Sequence, residues 1–260
     1  MEGTIASGRD RRQLVGMTAL VTGASSGIGA AVARELAHRG ARVALVARRA
    51  DRLEALASAI VEAGGEALSL PADLSDRAEP ERLVALTLEH WSQIDILINA
   101  AGQGWTRPFA REDLGEIASG VDLNLVNPML LTRAVLPGML ARRSGSIINV
   151  ASIAGHVAVA PIYSATKYGL RGFSLALRRE LAGSGVRVVL VSPGFIRTEM
   201  TETMRGIPMP RPERLARSIA DAVRHPRREI VYPRMYHAAI WIERFIPGVV
   251  DLALRPRKRR

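Results

Sequence analysis

The chain contains no cysteine. A disulfide-stapled scaffold, a thiolate metal site and a cysteine nucleophile are therefore excluded. Lysine is nearly absent as well: of 36 Lys and Arg residues only Lys167 and Lys258 are lysines, so the place of each matters. Long apolar runs are also missing. Residues 146–165 are interrupted by Asn149 and His156, and residues 238–254 by Glu243, Arg244, Pro247 and Asp251, so neither is expected to cross a membrane. Met1 to Gln13 is short and polar and lacks the apolar core of a secretion signal. These absences together favour the cytoplasm. The five histidines are scattered without H-x-x-x-H spacing or paired carboxylates, so no metal is expected, and His156 reads as a surface residue rather than a substrate contact.

What is present is a chain of 260 residues, 48% of them hydrophobic, which is ample for one large core and too apolar for disorder. The net charge of +11 suggests an anionic partner until it is located along the chain. Residues 1–204 carry 22 basic and 20 acidic side chains, whereas residues 205–260 carry 14 and 5, a net of +9. The positive charge thus belongs to the last fifth, closing with Arg255-Pro-Arg-Lys-Arg-Arg260. Basic and aromatic residues are not interleaved in any groove-reading pattern, so no nucleic acid partner is expected.

Short β-branched runs alternate with helical patterns. Strands are predicted at 18–22, 42–47, 66–71, 95–98, 146–150, 185–191 and 229–232, with helices between them, the longest over 116–142 and 161–182. Near-continuous apolar strands separated by helices predict an α/β fold: a parallel sheet of about seven strands with helices on both faces. A flexible segment 1–13 would precede a single domain over 14–260. Within it Pro208, Pro210, Pro212, Pro226 and Pro233 break the regularity of 205–260, which reads as a basic, apolar C-terminal extension.

The first strand runs into Thr22-Gly-Ala-Ser-Ser-Gly-Ile-Gly29. Glycines at 23, 27 and 29 between a strand and a helix allow a tight turn, at which backbone N–H groups and the helix dipole can receive a pyrophosphate. After the second strand, where an acid would bind a ribose 2′-hydroxyl, stands Arg48. A guanidinium there suits a 2′-phosphate, which predicts NADP(H) in preference to NAD(H). Tyr163 and Lys167 are four apart and share a helix face. A free phenol, with a pKa of about 10, is a poor acid–base catalyst near neutrality, and an adjacent ammonium is expected to lower it.

Gly23/Gly27/Gly29, Asn99-Ala-Ala-Gly102, Asn124, Ser152, Tyr163-x-x-x-Lys167 and Pro193-Gly194 occur in the order seen in the short-chain dehydrogenase/reductase family, and the resemblance spans about residues 14–200. It implies a Rossmann-like, doubly wound sheet. It further implies that Tyr163 is the acid/base, that Ser152 stabilises charge on the substrate oxygen, that Lys167 holds the nicotinamide ribose, and that Asn124 completes a proton relay. Ser25, Ser26 and Ile28 of the glycine loop, Asp73 with Leu74, Asn99, Ala100 and Gly102, Pro193 with Gly194, and Ile196 to Thr198 would meet the cofactor. Ser152 precedes Tyr163 by eleven residues, slightly fewer than in many members. Many NADP-dependent members carry a basic residue where Ser25 and Ser26 stand, so the cofactor preference rests on Arg48.

The segments expected to line the substrate cleft are apolar: Trp105 and Phe109, Val157 to Val159, then Phe195, Met200 and Met204. Such a wall suits a hydrophobic ketone, aldehyde or secondary alcohol. Residues 238–260 leave alternatives open. Ile240, Trp241, Phe245, Ile246, Val249, Val250, Leu252 and Leu254 beside the basic run fit either contact with an anionic membrane surface or a helix packed over the cleft or on a second subunit. A homodimer or homotetramer follows from the resemblance alone. The competing functional reading is a non-catalytic dinucleotide-binding sensor or scaffold, since fold does not imply catalysis.

Overall fold

The computed structural model describes residues 13–105, 107–204, 206 and 208–255. Seven parallel strands form one sheet in the order β3-β2-β1-β4-β5-β6-β7. They are β1 (Thr18–Thr22), β2 (Arg42–Ala47), β3 (Glu66–Pro71), β4 (Ile96–Asn99), β5 (Gly145–Val150), β6 (Val186–Pro193) and β7 (Glu229–Tyr232). Central strands such as β1, β4 and β5 are buried throughout, as their unbroken apolar runs require. The order reverses between β1 and β4, whose registers match Ala19 with Ile96 and Val21 with Ile98. Ligands of such sheets bind at the carboxyl ends of the strands at this reversal.

Alternation along each strand builds two apolar layers. Ala19, Val21, Val43, Leu45, Ile96 and Ile98 face α1 (Gly27–His38), α2 (Ala50–Glu62) and α7 (Pro212–Arg224). Leu20, Ala44, Val46, Leu97, Ile147 and Val188 face α3 (Glu79–Trp91), α5 (Asn127–Ala141) and α6 (Pro161–Glu180). The expected doubly wound architecture is thus present.

The long helix predicted over 116–142 is divided. α4 covers Leu114–Val121, a π-helical turn covers Asp122–Val126, and α5 follows. Pro128 has no N–H to give to the carbonyl four residues back, that of Asn124, and its ring crowds that carbonyl; a wider turn relieves both. Among the described part of the expected flexible segment, Gln13 is held by Arg224, whose Nε and Nη2 donate to its carbonyl at 3.0 and 2.6 Å; residues 1–12 lie outside the described residues. Beyond β7 come α8 (Tyr236–Phe245) and α9 (Pro247–Leu254), neither of which has a buried residue. No helix among the described residues is long and apolar enough to cross a membrane.

Candidate active site

The glycine loop leaves β1 and enters α1 against the loop that follows β4. A Cβ at Gly29 would run into the Gly23 carbonyl, and one at Gly23 would lie 2.8 Å from the Ala100 carbonyl oxygen, so only glycine permits this packing. Thr22 braces the junction: its Oγ1 accepts from the N–H groups of Ala100 and Ala101 at 3.0 and 3.1 Å. Ser26 is the N-cap of α1, yet its side chain makes no capping bond. Its Oγ instead accepts from Arg49 Nη2 at 2.8 Å. The first-turn N–H groups therefore lack a side-chain cap, which is the condition a pyrophosphate meets at a helix N-terminus. The residues present fit a dinucleotide.

The arginine that reaches the glycine loop is Arg49. It also donates from Nε and Nη2 to Ser25 Oγ at 3.2 and 2.9 Å, and its Nη1 pairs with Glu199 at 2.8 Å. Arg52 pairs with the other carboxylate oxygen of Glu199. Hydrogen bonds from Arg49 and Arg52 hold the Glu199 carboxyl down at about 2. Arg48 is exposed and adds to the lowering of Asp73, whose carboxylate is held down first by the Ser75 backbone N–H. Sequence reasoning singled out Arg48 and passed over Arg49 and Glu199. An Arg-Arg pair does not by itself say which side chain turns inward, and Glu199 is 150 residues away from Arg49.

Several expected cofactor residues could act only through their backbones. Leu74 and Ile196 are buried in the two core layers. Asn127, which sequence reasoning missed, donates Nδ2 to the Leu74 carbonyl and to that of Asp76 at 3.3 Å, fixing the loop after β3. Asn99 donates to Asn149 Oδ1 at 2.8 Å and so links β4 to β5. Thr198 packs against the glycine loop, within 3.0 Å of where a Gly27 Cβ would stand.

The reacting groups gather between β5, α6 and the π turn. Ser152 is buried and caps the turn Ile153–Gly155 by accepting from Ala154 N–H at 3.1 Å. Its Oγ lies 3.5 Å from the Pro193 carbonyl, and its side chain acts on the Tyr163 hydroxyl. Lys167 is buried one turn along α6; its Nζ donates to the Val150 carbonyl at 3.2 Å and lies 5.6 Å from the centre of the Tyr163 ring. Asn124, carried inward by the π turn, exchanges two 2.9 Å bonds with the backbone of Gln103 and donates to Thr166 Oγ1 at 3.3 Å. Ser152, Tyr163, Lys167 and Asn124 are thus brought together.

The expected lowering of Tyr163 by Lys167 is corrected. Burial raises the Tyr163 hydroxyl above its ordinary value, the Ser152 side chain opposing it, and burial lowers Lys167 to about 8. Loss of hydration is the largest cause of both shifts. Tyr163 is accordingly a protonated donor at neutral pH.

His156, expected on the surface, is buried: its Nε2 lies 2.6 Å from Glu229 Oε1, which also accepts from Ser192 Oγ at 2.6 Å. Burial pulls the Glu229 carboxyl upward, but the bonds from His156 and Ser192 leave it below its ordinary value. The network ties β6 and β7 to the turn that carries Ser152. No sequence spacing foretells it, because Glu229 is 73 residues from His156.

Over the site, the half-buried Trp105 ring lies 6.4 Å from that of Tyr163 and occupies the space where Gly120 lacks a side chain. Gly194 lies against the Tyr236 ring, and Phe195 N–H donates to Tyr236 Oη at 3.4 Å. Phe109, Val159, Met200 and Met204 are exposed apolar side chains of the surrounding loops.

Residues 17–206 match the family described as short chain dehydrogenase. The chain belongs to the short-chain dehydrogenase/reductase family. It is 38% identical over 227 residues to a ketoacyl reductase, HetN, from Nostoc sp., covering 84% of this chain and 79% of that protein. A metagenomic short-chain oxidoreductase solved with NADP is 39% identical, with a TM-score of 0.73 over 81% of this chain and 91% of that one. A variant of the actinorhodin polyketide ketoreductase solved with NADPH is 31% identical, with a TM-score of 0.76 over 83% and 95%. The protein is an oxidoreductase of the kind that acts on CH–OH groups with NAD(P), and these two solved relatives hold phosphorylated dinucleotides.

Proposed function

We propose that this short-chain dehydrogenase/reductase, acting as one catalytic domain over residues 14–260, is an NADP(H)-dependent reductase of a ketone or aldehyde borne on an apolar body. The observation that carries the reading is the buried Ser152, whose side chain acts to lower the Tyr163 hydroxyl, together with the buried Lys167 one turn along α6 from Tyr163. A non-catalytic sensor has no use for such a set. Two relatives named as ketoacyl or polyketide ketoreductases support a carbonyl substrate. Support for the 2′-phosphate comes from Arg48 and Arg49 at the end of β2, with Arg49 already drawn to the glycine-loop serines. Trp105, Phe195 and the exposed apolar rim support a hydrophobic substrate.

A dinucleotide held by the glycine loop and Lys167 would supply hydride for the carbonyl carbon. Tyr163 gives its hydroxyl proton to the carbonyl oxygen as the C=O π bond opens, leaving a phenolate and an alcohol. Ser152 donates a hydrogen bond to the same oxygen and stabilises the charge that gathers there. The Lys167 ammonium, poised near neutrality, steadies the phenolate and passes a proton back towards it, with Asn124 holding the Gln103 loop against this path. Oligomers are general in the family, and a homodimer or homotetramer is the expected assembly.

The test is NADPH oxidation, with NADH in parallel, over carbonyls of graded chain length, with Tyr163→Phe as control. The expected result is turnover that grows with apolar size and falls roughly 100- to 10,000-fold in the variant while NADPH binding persists. Undiminished turnover in Tyr163→Phe would refute the mechanism.

A further inference from the structure

A helix on a globular protein normally turns one face to the core, as α7 does with Leu215, Ala216, Ile219, Ala220, Ala222 and Val223 buried. The α8–α9 hairpin departs from this. Its helices bury no residue, although their sequences are as apolar as core helices. Trp241 and Phe245, one turn apart on α8, are 56% and 60% exposed, with ring centres 5.1 Å apart; Val249, Leu252 and Leu254 continue the exposed surface on α9. The matched family segment ends at residue 206, so this hairpin lies outside it.

The charge beside the hairpin selects among occupants. The Arg244 guanidinium lies 5.6 Å from the Phe245 ring, and the chain runs on from α9 into Arg255, Arg257, Lys258, Arg259 and Arg260 with no acid among them. A second copy would bring the same sequence excess of cations, which like-charge repulsion opposes, and carries no acidic run to match it. A surface of anionic headgroups over acyl chains complements both features: aromatic and aliphatic side chains enter the acyl boundary while guanidinium groups meet the phosphates. Helices of 10 and 8 residues are too short to span a bilayer and can only lie on it.

We propose that the α8–α9 hairpin and the basic run after it seat the protein on a bilayer bearing anionic headgroups. The seat adjoins the cleft, because Tyr236, the first residue of α8, lies against Gly194 and accepts from the Phe195 N–H. Resting on the reductase reading, the same placement presents the apolar mouth to substrates dissolved in the membrane.

The experiment is flotation of the full chain with vesicles of phosphatidylcholine alone and of equimolar phosphatidylcholine and phosphatidylglycerol, with and without added salt. The variants are Trp241→Ser with Phe245→Ser, and a charge variant with Arg257→Gln, Lys258→Gln, Arg259→Gln and Arg260→Gln. The full chain is expected to float with the anionic vesicles only. Partitioning should fall roughly tenfold or more in the aromatic variant, whose apolar contact is lost. It should fall at least roughly a hundredfold in the charge variant, since each cation near an anionic surface contributes about a fivefold factor. No flotation with anionic vesicles at near-physiological salt, or flotation indifferent to the aromatic changes, overturns the proposal. So does a loss of oligomer in the aromatic variant without flotation of the parent, which makes the face a contact between copies. NADPH binding on the same samples reports intact folding, and carbonyl turnover in detergent reports the reductase reading independently.

Discussion

Replacing Lys167 by methionine should stabilise the fold while destroying the chemistry. The ammonium is buried, and burial lowers its pKa from 10.5 to about 8. A pKa displaced by one pH unit corresponds to about 1.4 kcal/mol, so the charged side chain costs the native state about 3 kcal/mol at neutral pH. Methionine removes that cost, fills similar space, and leaves the Val150 carbonyl without its 3.2 Å donor, a loss of about 1 kcal/mol. The net gain of about 2 kcal/mol is a rise in Tm of roughly 4–8 °C for a domain of this size. The sign of the pH dependence follows from linkage. The folded value lies below the unfolded one, so the unfolded chain binds more protons between about 8 and 10.5. Wild-type stability therefore rises across that window by up to about 1.4 kcal/mol per pH unit relative to the variant, and the gap closes near its upper end. Paired thermal and urea melts at pH 7 and pH 10 measure the gap, while carbonyl turnover should fall at least roughly a hundredfold. A variant less stable than wild type at pH 7, or a gap that does not narrow with pH, would refute the buried-ammonium argument.

Gly29→Ala should abolish dinucleotide binding and cost several kcal/mol, about 3 or more, because its Cβ meets the Gly23 carbonyl; chemical melts with fluorescence titration of NADPH check both. Glu199→Gln weakens the clasp on Arg49 and Arg52, so NADPH should bind several-fold tighter while NADH binding barely changes, read by quenching of tryptophan emission; equal changes for both cofactors would sink this account. Glu229 is held below its ordinary value, so its contribution is present above about 4.5 and is lost as the pH falls through the folded value. Acid unfolding of Glu229→Gln should lack that component, and the variant should lose about 1–3 kcal/mol at pH 7 in urea melts.

Local pattern alone placed the seven strands and the flanking helices, because apolar runs and helical spacing report burial residue by residue. It also marked Gly23, Tyr163 and Lys167, since motif spacing on one loop or one helix face constrains where side chains point, whereas Ser152 came from the family resemblance. Misplaced boundaries came where one residue overrode periodicity, as Pro128 does beside the π turn that carries Asn124. What depended on distant parts of the chain was decided by tertiary structure. Arg49 rather than Arg48 turns to the glycine loop because Ser25, Ser26 and Glu199 await it there. His156 is buried because Glu229 and Ser192 satisfy it from two other strands. Tyr163 is raised rather than lowered because desolvation depends on everything packed around a group. Sequence spacing carries local geometry, whereas hydration, long-range pairing and the unburied face of α8–α9 exist only once the chain has folded.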